Sequence, residues 1–285
     1  MIIKAIRTEE ATEFADEMQP TDDFRTHLGA SVVGRECARE VWYSWRWFKL
    51  VQYSGRMKRL FQRGHREEPI VIESLKYAGI DVVNIDPNTG KQYRFTGYKG
   101  HEGGSSDGFA WNVPDVPVGQ WAKFECKTHN AKSFKAVSEM DANGYNIGLQ
   151  KSKPEHYGQC QRYMHAWQVF YTLYVAVNKD TDERLYLIIP YVEEHAEQMA
   201  QRAQLIVDSD APPMRLSEKP TFFKCSYCNY KDVCHNGEAP HRSCRSCVYS
   251  APIDGGQWEC RNVSHPCVIK KELQLTGCAN YQAIR

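Results

Sequence analysis

Two short stretches decide how this chain folds: Gly103–Trp111 (GGSSDGFAW) and Trp121–Thr128 (WAKFECKT). Both read as β-strands, joined by the proline-containing loop from Pro114 to Gly119. Side chains alternate across a strand, so Glu125 and Lys127 point to one side and Phe124 and Cys126 to the other. The apolar side can enter a core while the charged side lines a cleft, with Asp107 near the end of the neighbouring strand. Upstream, strands are expected at Asp81–Ile85 and Lys91–Tyr98, separated by the turn Pro87-Asn88-Thr89-Gly90. Before them, residues 35–63 read as a helix broken near Ser54-Gly55. Gly64–Tyr77 reads as a second helix with Pro69 in its first turn. Downstream, Pro154 opens a helix over Glu155–Trp167. Strands follow at Val169–Val177 and Arg184–Pro190, and then a helix at Glu193–Val207. Residues 1–30 show no strong periodicity. Helix, several strands, helix, strand is the order of a mixed α/β domain.

The chain has 285 residues, 42% hydrophobic and 25% charged, which excludes a disordered or collagen-like protein. At roughly 150 residues per domain, about two domains are expected. There is no run of about 18 apolar residues, so no membrane-spanning helix is expected. The N-terminal stretch is charged throughout and has no apolar segment, so no secretory signal is expected and the cytoplasm is the expected location.

A net charge of +1 gives no sign of a nucleic-acid partner until its distribution is read. Between Val41 and Arg66 stand Arg46, Lys49, Arg56, Lys58, Arg59, Arg63 and Arg66 with no Asp or Glu, so this +7 stretch leaves the remainder at −6. Trp42, Tyr43, Trp45, Trp47, Phe48, Tyr53 and Phe61 are interleaved with these cations. Cations neutralise phosphates and aromatic faces stack on bases, so the seven cations are candidate DNA contacts. The plainer reading is a buried aromatic helix face with a solvated basic face, and the aromatics are dense enough that many must be core.

Asp107, Glu125 and Lys127 form a D…ExK pattern. Two carboxylates brought together attract a hard divalent cation such as Mg²⁺ through oxygen ligands. A neighbouring ammonium can orient a water and offset charge on a scissile phosphate. Alone the pattern is unspecific, because Glu-x-Lys pairs on strands are commonly structural. Two further segments accompany it. Gly64-His-Arg-Glu-Glu68 precedes it, and Gln159-Cys-Gln-Arg-Tyr163 follows, where an i, i+4 spacing puts Gln159 and Tyr163 on one helix face.

In order and spacing, Gly64-x-x-x-Glu68, Asp107-Gly108, Glu125-x-Lys127 and Gln159-x-x-x-Tyr163 resemble the PD-(D/E)XK nuclease superfamily. The similarity is to the lambda-exonuclease and RecB-like branch, including CRISPR-associated iron–sulfur exonucleases, and it spans about Gly34 to Cys234. It implies an αβββαβ core with a mixed sheet. It also implies a Mg²⁺ or Mn²⁺ site made by Glu68, Asp107, Glu125 and the backbone carbonyl of Cys126, with Lys127 as catalytic lysine. Gln159 and Tyr163 would position DNA or brace the site. RecB-like members use a histidine in the first helix; here His65 is out of step with the motif, so Glu68 is the expected ligand. The resemblance further implies a phage or prophage source, host cytoplasm, and work in recombination or repair beside a recombinase, single-strand-binding protein or helicase. No G-x-x-x-x-G-K-[ST] motif occurs, so the chain itself is not expected to unwind DNA with ATP.

Eleven cysteines without an oxidising compartment point to metal rather than disulfides. Cys225, Cys228 and Cys234 form a C-x₂-C-x₅-C run, and three thiolates in a short loop need a neutralising metal. Cys37 is the candidate fourth ligand and His235 a substitute. By resemblance the four cysteines would hold a [4Fe–4S] cluster, although four thiolates also suit zinc. Cys244, Cys247, Cys260 and Cys278 form a second set, expected to bind structural Zn²⁺, with Cys267 and His265 as spares. Cys126 and Cys160 read as core thiols. A Cys126–His129 nucleophile pair is the competing idea, opposed by Cys126 facing away from Glu125 and Lys127.

The expectation is therefore a nuclease domain with its iron–sulfur staple over residues 1–238 and a zinc module over 239–285. The expected activity is metal-dependent DNA hydrolysis, as an exonuclease. The alternative is a metal-stapled DNA-binding or adaptor protein with an inactive nuclease fold.

Overall fold

In the computed structural model, which describes residues 6–19 and 25–285, the chain begins with helix α1 (Ile6–Met18), in a region that showed no strong periodicity. A two-residue strand β1 (Leu28–Gly29) and one turn of helix α2 (Ala30–Val33) lead to α3 (Ala38–Trp45). Cys37 caps α3, its sulfur accepting from the Glu40 amide at 3.4 Å. The basic stretch then breaks at Ser54-Gly55, because the Ser54 hydroxyl caps a new helix at the Met57 amide, 3.4 Å away. That helix, α4 (Gly55–Tyr77), runs straight through Pro69, which corrects the expectation of a separate helix starting at Gly64. An interior proline deletes one helical hydrogen bond. Here Pro69 faces solvent, and buried Val71, Ile72 and Leu75 hold the turns that follow.

Strands β2 (Asp81–Val83) and β3 (Arg94–Thr96) come next. The single strand expected over residues 103–111 is in fact two, β4 (Glu102–Ser105) and β5 (Gly108–Trp111), and they belong to different sheets. Then come β6 (Ala122–His129), α5 (Ala131–Val137), α6 (Gly148–Ser152) and α7 (Pro154–Trp167), with Pro154 in the first turn as expected. Strands β7 (Tyr171–Asn178) and β8 (Arg184–Pro190) and helix α8 (Glu193–Asp208) lie where the sequence places them, to within two residues. The cysteine-rich end carries α9 (Phe223–Ser226), α10 (Lys231–His235) and strands β9 (Ser250–Ile253), β10 (Gln257–Cys260) and β11 (Cys267–Ile269).

The central sheet has the order β2-β5-β6-β7-β8, with β6 and β7 parallel and every other pair antiparallel. This is a mixed α/β arrangement. Alternation along β6 assigns its two faces. Ala122, Phe124 and Cys126 pack with Val71, Ile72 and Leu75 of α4. On the other face, Glu125 lies opposite Tyr174 of β7, which packs with Cys160 and Met164 of α7. A bidentate, buried ion pair ties α7 to β4: Arg162 donates to Glu102 at 2.7 and 2.6 Å.

The cysteine-rich end is packed into the rest of the chain. Trp258, Ile269 and Ile284 share one apolar cluster with Trp42, Trp45 and Phe48. Arg245 donates to Trp45 O at 3.1 Å and Thr26 O at 2.9 Å, with its guanidinium 3.8 Å from the Trp47 ring centre. Among the described residues no helix is long and apolar enough to cross a membrane.

Candidate active site

The break between β4 and β5 builds the site. Buried Ser106 accepts from the Gly108 amide at 3.1 Å and donates to the Gly108 carbonyl at 3.0 Å, pinching the chain into a sharp bend. Gly108 sits at φ +147°, and a Cβ there would press within 3.0 Å of Val83 O. Asp107 is thereby turned toward β6, where its carboxylate accepts from the Cys126 amide at 3.0 Å. That single bond docks Asp107 between Glu125 and Lys127.

Glu125 is fully buried, and a buried carboxylate must be paired. It is ion-paired with both Lys123 and Lys127, and Gln159 donates to it at 3.1 Å. Lys123 was not among the expected site residues, although it stands two positions before Glu125 on the same strand face and the K-x-E-x-K alternation was there to be read. Burial pushes the Lys123 ammonium down to about 8, even with Asp107 pulling it up. Its Nζ also lies 5.0 Å from the Tyr163 ring centre. For Lys127, burial pulls downward, but the Asp107 charge and the Tyr174 and Tyr163 phenols outweigh it, and the net direction is upward. Lys127 is therefore an ammonium, a donor and not a base.

Gln159 and Tyr163 brace the site from α7. Tyr163 is buried, and burial lifts its phenol to about 12. Cys126 is likewise lifted to about 12, by burial and then by Asp107, so it stays a thiol. Both ring nitrogens of His129 are occupied, by Ser133 at 3.0 Å and Tyr174 at 3.1 Å. The Cys126–His129 nucleophile idea therefore has neither a thiolate nor a free base.

Glu68 reaches toward this group from α4. Burial first, and the charge of Asp107 second, raise its carboxyl to about 7, against the opposite pull of Lys127 and Lys123. Two carboxylates in mutual repulsion are a donor set that suits a hard cation. Among the described residues, no three His, Cys, Asp or Glu side chains are already gathered closely enough to hold a metal ion. Glu125 in particular is engaged by its lysines.

The expected DNA contacts divide. Arg46 is a correction: it is 1% exposed, donates to Ser250 O at 2.9 Å and stacks against Trp42 and Trp258. Burial pushes it down to about 10, and it serves the core, not a DNA surface. Trp42, Tyr43, Trp45, Trp47 and Phe48 are buried with it, whereas Tyr53 and Phe61 are exposed and meet edge to face at 5.0 Å. Lys49 pairs with Asp232 at 3.2 Å. Arg63 donates to Lys179 O, and Arg56, Arg59 and Arg66 are exposed along α4.

The cysteines gather in two places. Cys37, Cys225, Cys228 and Cys234 line one cavity of about 590 Å³, with Arg39 and His235 also on its wall. Burial raises Cys228 to about 11, and the nearby Cys37 and Cys234 add to the shift. Cys244, Cys247, Cys260 and Cys278 line a second, much smaller cavity of about 40 Å³, together with His265. Cys244 is raised to about 11 by burial and then by those three thiols. Cys267 is exposed, lies across from Cys260 on β11 and is not on that wall.

No family model matches the chain, and no curated protein matches it. Among solved structures it is similar to an alkaline exonuclease (LHK-Exo) from Laribacter hongkongensis, at 16% identity and TM-score 0.38, covering 69% of this chain and 90% of that one. The same exonuclease in complex with dAMP gives 15% identity and TM-score 0.42 over 69% and 90%. SSO0001 gives 13% identity and TM-score 0.41 over 82% and 98%. At TM-scores below 0.5, none of these likenesses carries weight for function, which rests on the geometry of the site.

Proposed function

We propose that the chain is a metal-dependent deoxyribonuclease of the PD-(D/E)XK kind, acting as an exonuclease. The observation that carries this reading is the docking of Asp107 onto the Cys126 amide at 3.0 Å, which joins the two halves of the D…ExK pattern into one charged cluster. Glu68, Asp107 and Glu125, with the Cys126 carbonyl, would hold Mg²⁺ or Mn²⁺. Glu125 would do so by giving up part of its hold on a lysine. Such a cation supplies Lewis acidity toward a phosphoryl oxygen and acidifies a bound water. Lys127, held as an ammonium, donates to the attacking water or to a phosphate oxygen and offsets its charge. Lys123 and Gln159 keep the Glu125 carboxylate oriented, and Tyr163 walls the site from behind.

Among the described residues, no three thiols of either cysteine set are already gathered closely enough to hold an ion, so each set would have to close in on its occupant. Those on the wall of the larger cavity would close around a [4Fe–4S] cluster and those on the wall of the smaller one around a single Zn²⁺. The first would tie the cap of α3 to α9 and α10, and the second would brace β10 against the segment around Cys244.

The test uses end-labelled single- and double-stranded DNA with Mg²⁺ or Mn²⁺. The parent should release nucleotides from ends, while Lys127→Ala and Glu125→Ala should not. Variants that cleave like the parent would overturn the site, and rapid nicking of closed circles would overturn the exonuclease reading. An unreactive parent that still binds DNA would point to the adaptor alternative. Anaerobic preparation should give iron and a brown chromophore; zinc alone would remove the cluster.

A further inference from the structure

Helix α1 carries Glu9, Glu10, Glu13, Asp16 and Glu17 against a single arginine, Arg7. It lies along the first half of α4, within the most cationic stretch of the chain. Glu13 accepts from Arg59 and from the Arg56 amide, both at 2.9 Å, and Asp16 takes the other arm of the Arg59 guanidinium. Lys58 donates to the carbonyls of Glu17 and Gln19 at 2.5 and 2.7 Å. The approach is close: a Cβ at Gly55 would lie 2.8 Å from Asp16 Cβ and from Glu13 O.

The contact is polar throughout. No residue of α1 is buried, and Ile6, Phe14 and Met18 remain largely exposed. Exposed ion pairs contribute little each and are screened by salt, so such a helix is readily exchanged for another anion. Arg56, Arg59, Arg63 and Arg66 recur at spacings of three, four and three, which places them on one stripe of α4. A phosphate offers that stripe the same bidentate oxygens that Glu13 and Asp16 offer. By helical geometry, at roughly 100° per residue, the stripe lies on the side of α4 turned away from Glu68. It can hold flanking DNA but not the scissile phosphate.

We propose that the arginine stripe of α4 is a docking surface for the nucleic-acid backbone, and that α1 is an acidic strap competing for it. The inference rests on the nuclease reading for its ligand, and it concerns affinity, not chemistry. Displacing α1 strengthens DNA binding and lowers KM without changing kcat.

The test is binding of a labelled duplex, in chelator, to the full chain and two variants. Glu13→Gln/Asp16→Asn removes the competing charge. Gly55→Ala pushes α1 off its seat and leaves every charge in place. Both should bind roughly three- to tenfold tighter, with a steeper dependence on salt. With Mg²⁺, KM should fall by the same factor and kcat should hold. Unchanged or weaker binding in both variants overturns the strap, as does a chain that never binds DNA. A chain that binds but never cleaves overturns the nuclease reading alone, since the comparison of affinities still stands.

Discussion

Asp107 and Cys126 are joined by one hydrogen bond, carboxylate to backbone amide at 3.0 Å, across nineteen residues of sequence. The bond spends one carboxylate oxygen on the fold and leaves the negative charge beside Glu68 and Lys127. Asp107→Asn keeps an oxygen that can accept from Cys126 and removes only the charge. We expect cleavage to fall by about 10²–10³-fold while the chain still folds. Retained activity would show that Asp107 is architectural alone.

Glu68 makes the metal-free protein sensitive to pH. Its carboxyl titrates at about 7 in the fold, against 4.5 ordinarily, because of burial and the nearby Asp107. Between those values the folded state holds a proton that the unfolded chain has released. Stability in chelator should therefore fall as pH rises through this window and level off above it. Melting curves in EDTA from pH 5 to 8 should show the slope in the parent and lose it in Glu68→Gln. Adding Mg²⁺ should also flatten it, because the cation replaces the proton. Identical slopes in parent and variant would contradict the assignment.

Gly104 of β4 lies against the hydroxyl end of Tyr163, where an added Cβ would run into the phenol oxygen and sit 2.8 Å from Cε1. Neither partner can retreat, since Tyr163 is buried between Phe95 and Lys123. Gly104→Ala should cost about 1–3 kcal/mol in urea denaturation and reduce cleavage by displacing Tyr163. A neutral result would mean that β4 shifts freely and does not buttress the site.

Cys260 and Cys267 face each other across β10 and β11, yet only Cys260 reaches the small cavity. Elemental analysis should show one zinc fewer per chain in Cys260→Ser and no change in Cys267→Ser. Melting should drop by several degrees in the first variant only. Equal zinc in both would place the ion elsewhere.

Much of the site was legible because it depends on local periodicity. The period-two alternation of β6 puts Glu125 with Lys127, and the i, i+4 spacing of α7 puts Gln159 with Tyr163. The spacing of the cysteines divided them into the two sets that the two cavities receive. Lys123 obeyed the same alternation and needed only to be read one step further back.

What lay beyond the sequence involves partners far along the chain. Arg46 reads as one of seven cations until Ser250, 204 residues on, and Trp258 close over it. The run from Gly103 to Trp111 reads as one strand until two sheets claim its halves and Asp107 is left at the bend. The acidic character of α1 is plain in its residues, but its place against α4 is not. Residue type and spacing determined which groups could do the chemistry, because side-chain direction follows backbone period. Only the tertiary structure decided which of them are buried, paired or covered, because desolvation and charge pairing depend on neighbours that the local sequence does not contain.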